Sequence, residues 1–242
     1  MDREQREIMC HTVIDEVKGR VPVITHIASA NLSDAIDLAK YAEVHGADAI
    51  AAIPPTLFHY GNDEIYNYYK KLASSVHIPL IIYYHPNAQK NISADLISRI
   101  YEIDNVTGVK WSSYDLFELM KLRDMTQGDI NILIGDEEIL LPALAAGADA
   151  GVGATYNILL KQFVQLYQDF KSNRLDHALK TQIKVNRVID LICKYEIIPS
   201  VKLAMRLSGI DVGDATFPFK QYTKEEEARF EADMHAAGWP FN

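Results

Sequence analysis

The sequence predicts an α/β fold built on a parallel sheet, and three observations carry that prediction. Apolar runs alternate with helical patterns along the first two thirds of the chain. The runs are nearly continuous in Val, Ile and Ala, as strands buried on both faces require. Successive runs lie roughly twenty to thirty residues apart, the spacing of βαβ units.

Six runs read as strands: residues 21–28 (VPVITHIA), 47–53 (ADAIAAI), 79–84 (PLIIYY), 106–112 (VTGVKWS), 130–135 (INILIG) and 148–154 (ADAGVGA). The chain opens directly in a helical pattern. Further helices start after the cap candidates Ser33, Asn62 and Ser93, which precede DAIDLAKYAEV, DEIYNYYKKLA and ADLISRIYEI. An internal echo supports a repeat. Gly46 and Gly147 each close a helix and lead into Ala-Asp-Ala at the start of a strand. From Asn157 onward the strand signals stop, and LLKQFVQLYQDF, LDHALKTQIKVNRVIDLICKY and PSVKLAMRLSG read as helices before a polar end rich in Glu and Lys. Residues 1–156 are therefore expected to form a partial (β/α) barrel, with 157–242 a helical segment of the same domain. A closed barrel of this kind has eight strands, two more than are counted here.

Composition narrows the function. The 242 residues are 48% hydrophobic and 24% charged, the profile of a globular protein, and the net charge of −9 gives a nucleic acid or an anionic membrane no electrostatic footprint. The first twenty residues are too charged for a signal peptide, and no apolar run is long enough to span a bilayer. Cys10 and Cys193 stand apart, without metal or redox spacing, and read as small buried hydrophobes in a reducing, cytoplasmic setting.

Lys110, in VTGVKWSS, carries the most chemistry. It lies near the C-terminal end of an otherwise apolar or small-residue strand, where parallel α/β barrels gather their active sites. A lysine desolvated there keeps some neutral amine as a nucleophile; the alternative is a lysine that snorkels to solvent or pairs with a carboxylate. Tyr83 ends the preceding strand on the same rim, where its phenol could move a proton or simply pack the interior. Alternation sends only one of Tyr83 and Tyr84 inward, and Tyr84 and His85 are expected to turn away from Tyr83. His85, beside Pro86, reads as a loop histidine, and no second His or Cys stands at ligand spacing, so no metal site is expected. Gly135-Asp136-Glu137-Glu138 follows a strand and reads first as an acidic opening turn of a helix. The glycines of Gly151-Val152-Gly153-Ala154 permit close backbone approach to a ligand, but the segment lacks the phosphate-loop pattern.

Taken together, IIYYHP, GVKWSS, GDEE and GADAGVGATYN, in this order and followed by the helical segment, resemble the N-acetylneuraminate lyase and dihydrodipicolinate synthase superfamily. The resemblance implies a (β/α)8 TIM-type barrel with a C-terminal helical extension. It also implies a Schiff-base lysine at Lys110 and a proton-handling tyrosine at Tyr83. Substrate-binding positions are implied at Ser112, Gly135, Glu137, Glu138, Gly153 and Ala154. The likeness is nearer to the lyases: Ala88 stands where the synthases carry arginine, and Thr155-Tyr156-Asn157 and the acidic pair follow the lyase pattern. The implied activity is cleavage of a 2-oxo sugar acid such as N-acetylneuraminate to pyruvate and N-acetylmannosamine. The partners implied are that small molecule and three further copies in a homotetramer, and no metal or organic cofactor is called for.

Several positions depart from the family pattern. Tyr84 replaces the asparagine of the strand-end motif, and Ala154 replaces a serine, which removes one substrate hydroxyl contact. Leu57 and Phe58 replace an aromatic pair, and Phe58 could not relay protons. Ser112 stands for a threonine and keeps the hydroxyl. The likeness begins at the family's second helix, so the first two strands and the glycine-rich segment that grips the pyruvate carboxylate are expected to be missing. Three readings follow: the lyase, a related aldolase for another 2-oxo sugar acid, or a catalytically inactive family member.

Overall fold

The computed structural model describes residues 1–89 and 92–240. The last two residues of the predicted helical segment lie outside that description. The chain divides into two compact units, Met1–Gly135 with Ala146–Asp149 and Asp136–Ala145 with Ala150–Asn242.

The first unit opens with α1 (Arg3–Val17), followed by β1 (Ile24–His26), α2 (Leu32–Val44), β2 (Ala49–Ala52), α3 (Asn62–Ala73), β3 (Leu80–Tyr84), α4 (Ala94–Tyr101), β4 (Val106–Trp111), α5 (Leu116–Met125) and β5 (Asn131–Ile134). Strands β1 to β5 pair in sequence order, and every pairing is parallel. Each apolar run thus yields a strand, trimmed at its ends. The run at 21–28 forms pairs only over three residues.

The Ala-Asp-Ala echo has a physical basis. Asp48 Oδ2 accepts from the Val23 N–H at 2.7 Å, and Asp149 Oδ2 accepts from the Ile132 N–H at 2.7 Å. Each aspartate thereby fastens the start of an earlier strand to the segment that follows a helix. Gly46 and Gly147, with φ of +91° and +106°, supply the left-handed turn that lets the chain leave the helix and reach that position.

Helices α2, α3 and α4 bury their apolar faces through Leu38, Ala39, Ile65, Tyr69, Leu72, Ile97 and Ile100, and each fully buried large side chain contributes about 1.5–3 kcal/mol. Ser93 caps α4, as the sequence predicts, with its Oγ accepting from Leu96 N–H. Two other starts differ. Asn31 rather than Ser33 caps α2, because its Oδ1 takes both the Ser33 N–H and the Ser33 hydroxyl. Asn62 is the first residue of α3 rather than its cap, which falls on Gly61. At the opposite end of the sheet from the site, Asn105 takes a φ of +62° and donates from Nδ2 to the carbonyls of Ala73, Val76 and Ile78.

The second unit holds a 3-10 turn (Glu137–Ile139), α6 (Leu140–Ala145), β6 (Ala150–Gly151), α7 (Tyr156–Lys171), α8 (Leu175–Lys194), α9 (Ile197–Leu207) and α10 (Lys224–Ala236). Its core gathers Leu159, Phe163, Leu166, Val185, Val188, Ile192, Phe230 and Met234. The polar C-terminal stretch is thus a helix. Thr223 and Glu226 form a reciprocal capping box at its start, and Phe230 and Met234 anchor it. Six strands are found among the described residues, the number counted in the sequence. Cys10 is buried as expected, but Cys193 is exposed: it falls on a solvent-facing position of α8, next to the buried Ile192.

Candidate active site

Four of the expected site residues come together in the first unit. Tyr83 and Lys110 are register partners at the C-terminal ends of β3 and β4. Their side chains therefore rise on the same face, and Lys110 Nζ lies 3.8 Å from the centre of the Tyr83 ring. That distance is a close cation–π contact, worth about 0.5–2 kcal/mol depending on desolvation. Ser112, two residues beyond Lys110, shares its face; only 5% of its surface is exposed, and its Oγ has no hydrogen-bond partner among the described residues. Gly135 completes the group. A methyl at Gly135 would collide with the Ser112 hydroxyl and stand 3.0 Å from Lys110 Cε, so the absent side chain leaves room for both.

The backbone at Tyr83 is held from behind. The buried Tyr69 hydroxyl donates to the Ala52 carbonyl at 2.8 Å and accepts from the Tyr83 backbone N–H. Burial pushes the Tyr69 phenol well above its ordinary value, so it acts as a fixed hydrogen-bonding pin. Tyr84 faces the other way and packs its ring on Trp111, with centroids 4.7 Å apart. The Tyr84 ring is thus buried against Trp111, on the other face of the strand from Tyr83.

Two histidines flank Tyr83: His26, which the sequence did not single out, and His85, which it reads as a loop residue. The His26 ring meets Tyr83 edge-on at 5.8 Å, and the His85 ring lies 6.5 Å away. The expectation that His85 turns away is corrected: as residue i+2 it lies on the same side as Tyr83, and strand alternation, applied one residue further, would have found it. Packing against the protein, followed by the charge of Lys110, holds His85 below the usual imidazole range. His26 is also held low, by desolvation first and then by Arg6 and Lys110, although its outer edge remains exposed to solvent. The Arg6 guanidinium donates to the carbonyls of Ala28 and His26 at 2.8 and 2.7 Å, which ties α1 to the end of β1.

The remaining expected residues lie in the second unit. Glu137 is buried, and its Oε1 accepts from the Thr155 N–H at 2.7 Å and from the Thr155 hydroxyl at 3.0 Å. A methyl at Gly153 would strike the Glu137 carboxylate, so the glycine exists to let that carboxylate reach Thr155. The Glu137 and Glu138 carbonyls accept from Gln182 and Asn186 of α8 at 3.1 and 2.9 Å. Glu138 is half-buried, and Ala154 is half-buried with its carbonyl held by Asn157. The Tyr156 phenol is raised by burial and then by Glu137 and Glu138, and its hydroxyl has no hydrogen-bond partner among the described residues. Thr155 was missed as a partner of the acidic turn; nothing in the sequence couples positions 18 residues apart. No group of three or more metal-ligating side chains occurs among the described residues.

A lysine and a tyrosine are thus set against each other at the ends of adjacent parallel strands of an α/β fold. Residues 1–237 match the Dihydrodipicolinate synthetase family, and the chain belongs to that family, whose superfamily comprises pyruvate-dependent lyases. N-acetylneuraminate lyase of Clostridium perfringens (strain 13 / Type A) is 30% identical over 230 residues, which cover 95% of this chain and 80% of that protein. Among solved structures, CdNal from Clostridium difficile in complex with mannosamine aligns with a TM-score of 0.94 at 28% identity, covering 98% of this chain and 82% of that one. N-acetylneuraminate lyase from Mycoplasma synoviae aligns with a TM-score of 0.90 at 30% identity, covering 97% and 80%. The α/β fold with its parallel strands is that of these barrel structures.

Proposed function

We propose that this chain is a Schiff-base-forming aldolase of the N-acetylneuraminate lyase type, with Lys110 as nucleophile and Tyr83 as proton carrier. The observation that carries the reading is the contact of Lys110 Nζ with the Tyr83 ring at 3.8 Å, on neighbouring strand ends. The amine of Lys110 attacks the C2 ketone of an open-chain 2-oxo sugar acid. The Tyr83 phenol hands a proton to the departing hydroxyl, and water leaves as the iminium forms. That iminium accepts the electron pair of the C3–C4 bond as it breaks, while the C4 hydroxyl gives its proton to the Tyr83 phenolate and becomes an aldehyde. Protonation of the resulting enamine at C3 and hydrolysis return pyruvate and the free lysine. The iminium is the electron sink, so the reaction needs neither a metal nor an organic cofactor.

Ser112 offers its unpartnered hydroxyl to the bound acid, beside Gly135. Glu137, Glu138, Gly153 and Ala154 make up the proposed site for the hydroxylated tail. N-acetylneuraminate is the proposed substrate because the relatives bear that lyase's name and one was solved with mannosamine. Two observations favour a second reading, a related aldolase for another 2-oxo sugar acid: Glu137 Oε1 is already engaged by Thr155, and Ala154 offers no hydroxyl. The proposal further takes residues 1–156 as barrel and 157–242 as the helical segment of one domain, with the six strands as part of a (β/α)8 arrangement. It places the protein in the cytoplasm as a homotetramer whose partners are small molecules rather than nucleic acid or membrane. No helix among the described residues is long and apolar enough to cross a membrane.

Pyruvate release from a panel of 2-oxo sugar acids tests the substrate. Fastest release from N-acetylneuraminate supports the lyase; faster release from another acid selects the second reading. No release from any member of the panel by a folded sample points to an inactive family member.

A further inference from the structure

We propose that His85 takes the substrate's carboxylate, through an imidazole Nε2–H presented beside Tyr83 and Lys110. The inference rests on the Schiff-base reading, which puts a 2-oxo acid at Lys110.

The Asn87 backbone N–H donates to His85 Nδ1 at 3.2 Å. A backbone amide can only donate, so Nδ1 holds the lone pair and the neutral ring carries its proton on Nε2. The turn after β3 thereby fixes the tautomer and leaves Nε2 as a donor for a ligand. The His85 ring stands 6.5 Å from the Tyr83 ring at an interplanar angle of 61°, and Lys110 lies over that same Tyr83 ring. A 2-oxo acid joined to Lys110 through C2 carries its carboxylate one bond from the iminium carbon. The groups beside Tyr83 and Lys110 are therefore candidates to donate to it.

The local charge points the same way. Burial and the Lys110 ammonium keep His85 neutral near pH 7, so it acts as a hydrogen-bond donor without adding a competing cation. Among the described residues, the charged groups that shift His26 and His85 are Arg6 and Lys110, both cations, and no carboxylate is among them. Two cations acting on these rings suit an anion. A histidine that only capped the turn would have no bearing on the charge of the ligand, and this difference is measurable.

Pyruvate and pyruvamide, its uncharged analogue of similar shape, are each trapped on Lys110 with borohydride and read by intact mass. The wild type is expected to prefer pyruvate roughly tenfold or more, the range for a hydrogen bond to a charged group. His85→Phe is expected to remove that preference, and His85→Gln, which keeps an N–H donor, to restore part of it. A preference unchanged in His85→Phe overturns the inference. A second measurement avoids the covalent step: the His85 imidazole signals are followed by NMR while pyruvate is added to Lys110→Met protein. A saturable shift is expected, and an unmoved His85 signal overturns the inference whether or not the wild type forms an adduct. A wild type without adduct, alongside a His85 signal that does move, sinks the Schiff-base reading and leaves the carboxylate contact standing.

Discussion

Lys110 and Tyr83 are register partners on adjacent parallel strands, and the lysine's Nζ lies 3.8 Å above the centre of the tyrosine ring. The ring face holds the lysine in place, while the phenol at its edge is the group that can move a proton. These two contributions separate by mutation. Tyr83→Phe keeps the ring face and the fold but loses the hydroxyl. Its expected melting temperature is close to that of the wild type, with adduct formation at Lys110 slowed by about a hundredfold or more. Trapping rates and a thermal melt on the same sample check both halves; an unslowed rate removes Tyr83 from the proton path.

Ser112 and Gly135 are expected to respond with opposite signs. The Ser112 hydroxyl is buried without a partner, a state that costs about 1–3 kcal/mol. Ser112→Ala is therefore expected to leave the ligand-free protein as stable or more stable, yet to bind the 2-oxo acid more weakly. Gly135→Ala drives a methyl into Ser112 and against Lys110 and is expected to destabilise by about 1–3 kcal/mol. Urea melts of both variants, with and without pyruvate, read these signs directly.

Glu137 has a structural task that its place in the acidic turn hides. It satisfies the buried N–H and hydroxyl of Thr155, so Glu137→Ala leaves both without their acceptor. A loss of roughly 1–3 kcal/mol is expected in a urea melt, on the scale of orphaned buried polar groups. Thr155→Val, which removes only the hydroxyl, is expected to lose less. Equal stability of Glu137→Ala and the wild type would show that the Thr155 contact contributes nothing.

The histidines set a pH dependence. In the folded protein His85 and His26 both titrate below the ordinary imidazole range, His26 down to about 4. The unfolded chain therefore binds protons first, and their contribution to stability is complete above roughly pH 6.5. It is lost as the pH falls through the unfolded value toward the folded one. The exposed edge of His26 screens its share, so the slope is shallow. Urea midpoints measured from pH 7.5 down to 5 should fall, and Lys110→Met should flatten that fall by removing the cation both rings face. A flat profile in the wild type contradicts this electrostatic picture.

Much of this was legible in the sequence, because each readable feature is local. A continuous apolar run marks each of the six strands, and Ser93 caps its helix through its own side chain. Lys110 and Tyr83 could be placed together because both end strands that neighbour each other in sequence order. What the sequence concealed depends on longer reach or on a choice between similar signals. Asn31 outcompetes Ser33 by catching two donors at once. Glu137 finds Thr155 only after the chain has passed through α6 and β6. His85 was set aside as a loop residue, yet its side of the strand end was predictable from Tyr83.

Borohydride reduction of the whole protein with pyruvate, read by intact mass and peptide mapping, decides whether Lys110 forms a Schiff base. One reduced pyruvate adduct per chain is expected, located on Lys110 and absent from Lys110→Met. A folded sample that gains no adduct, or gains it on a different lysine, would contradict that role for Lys110.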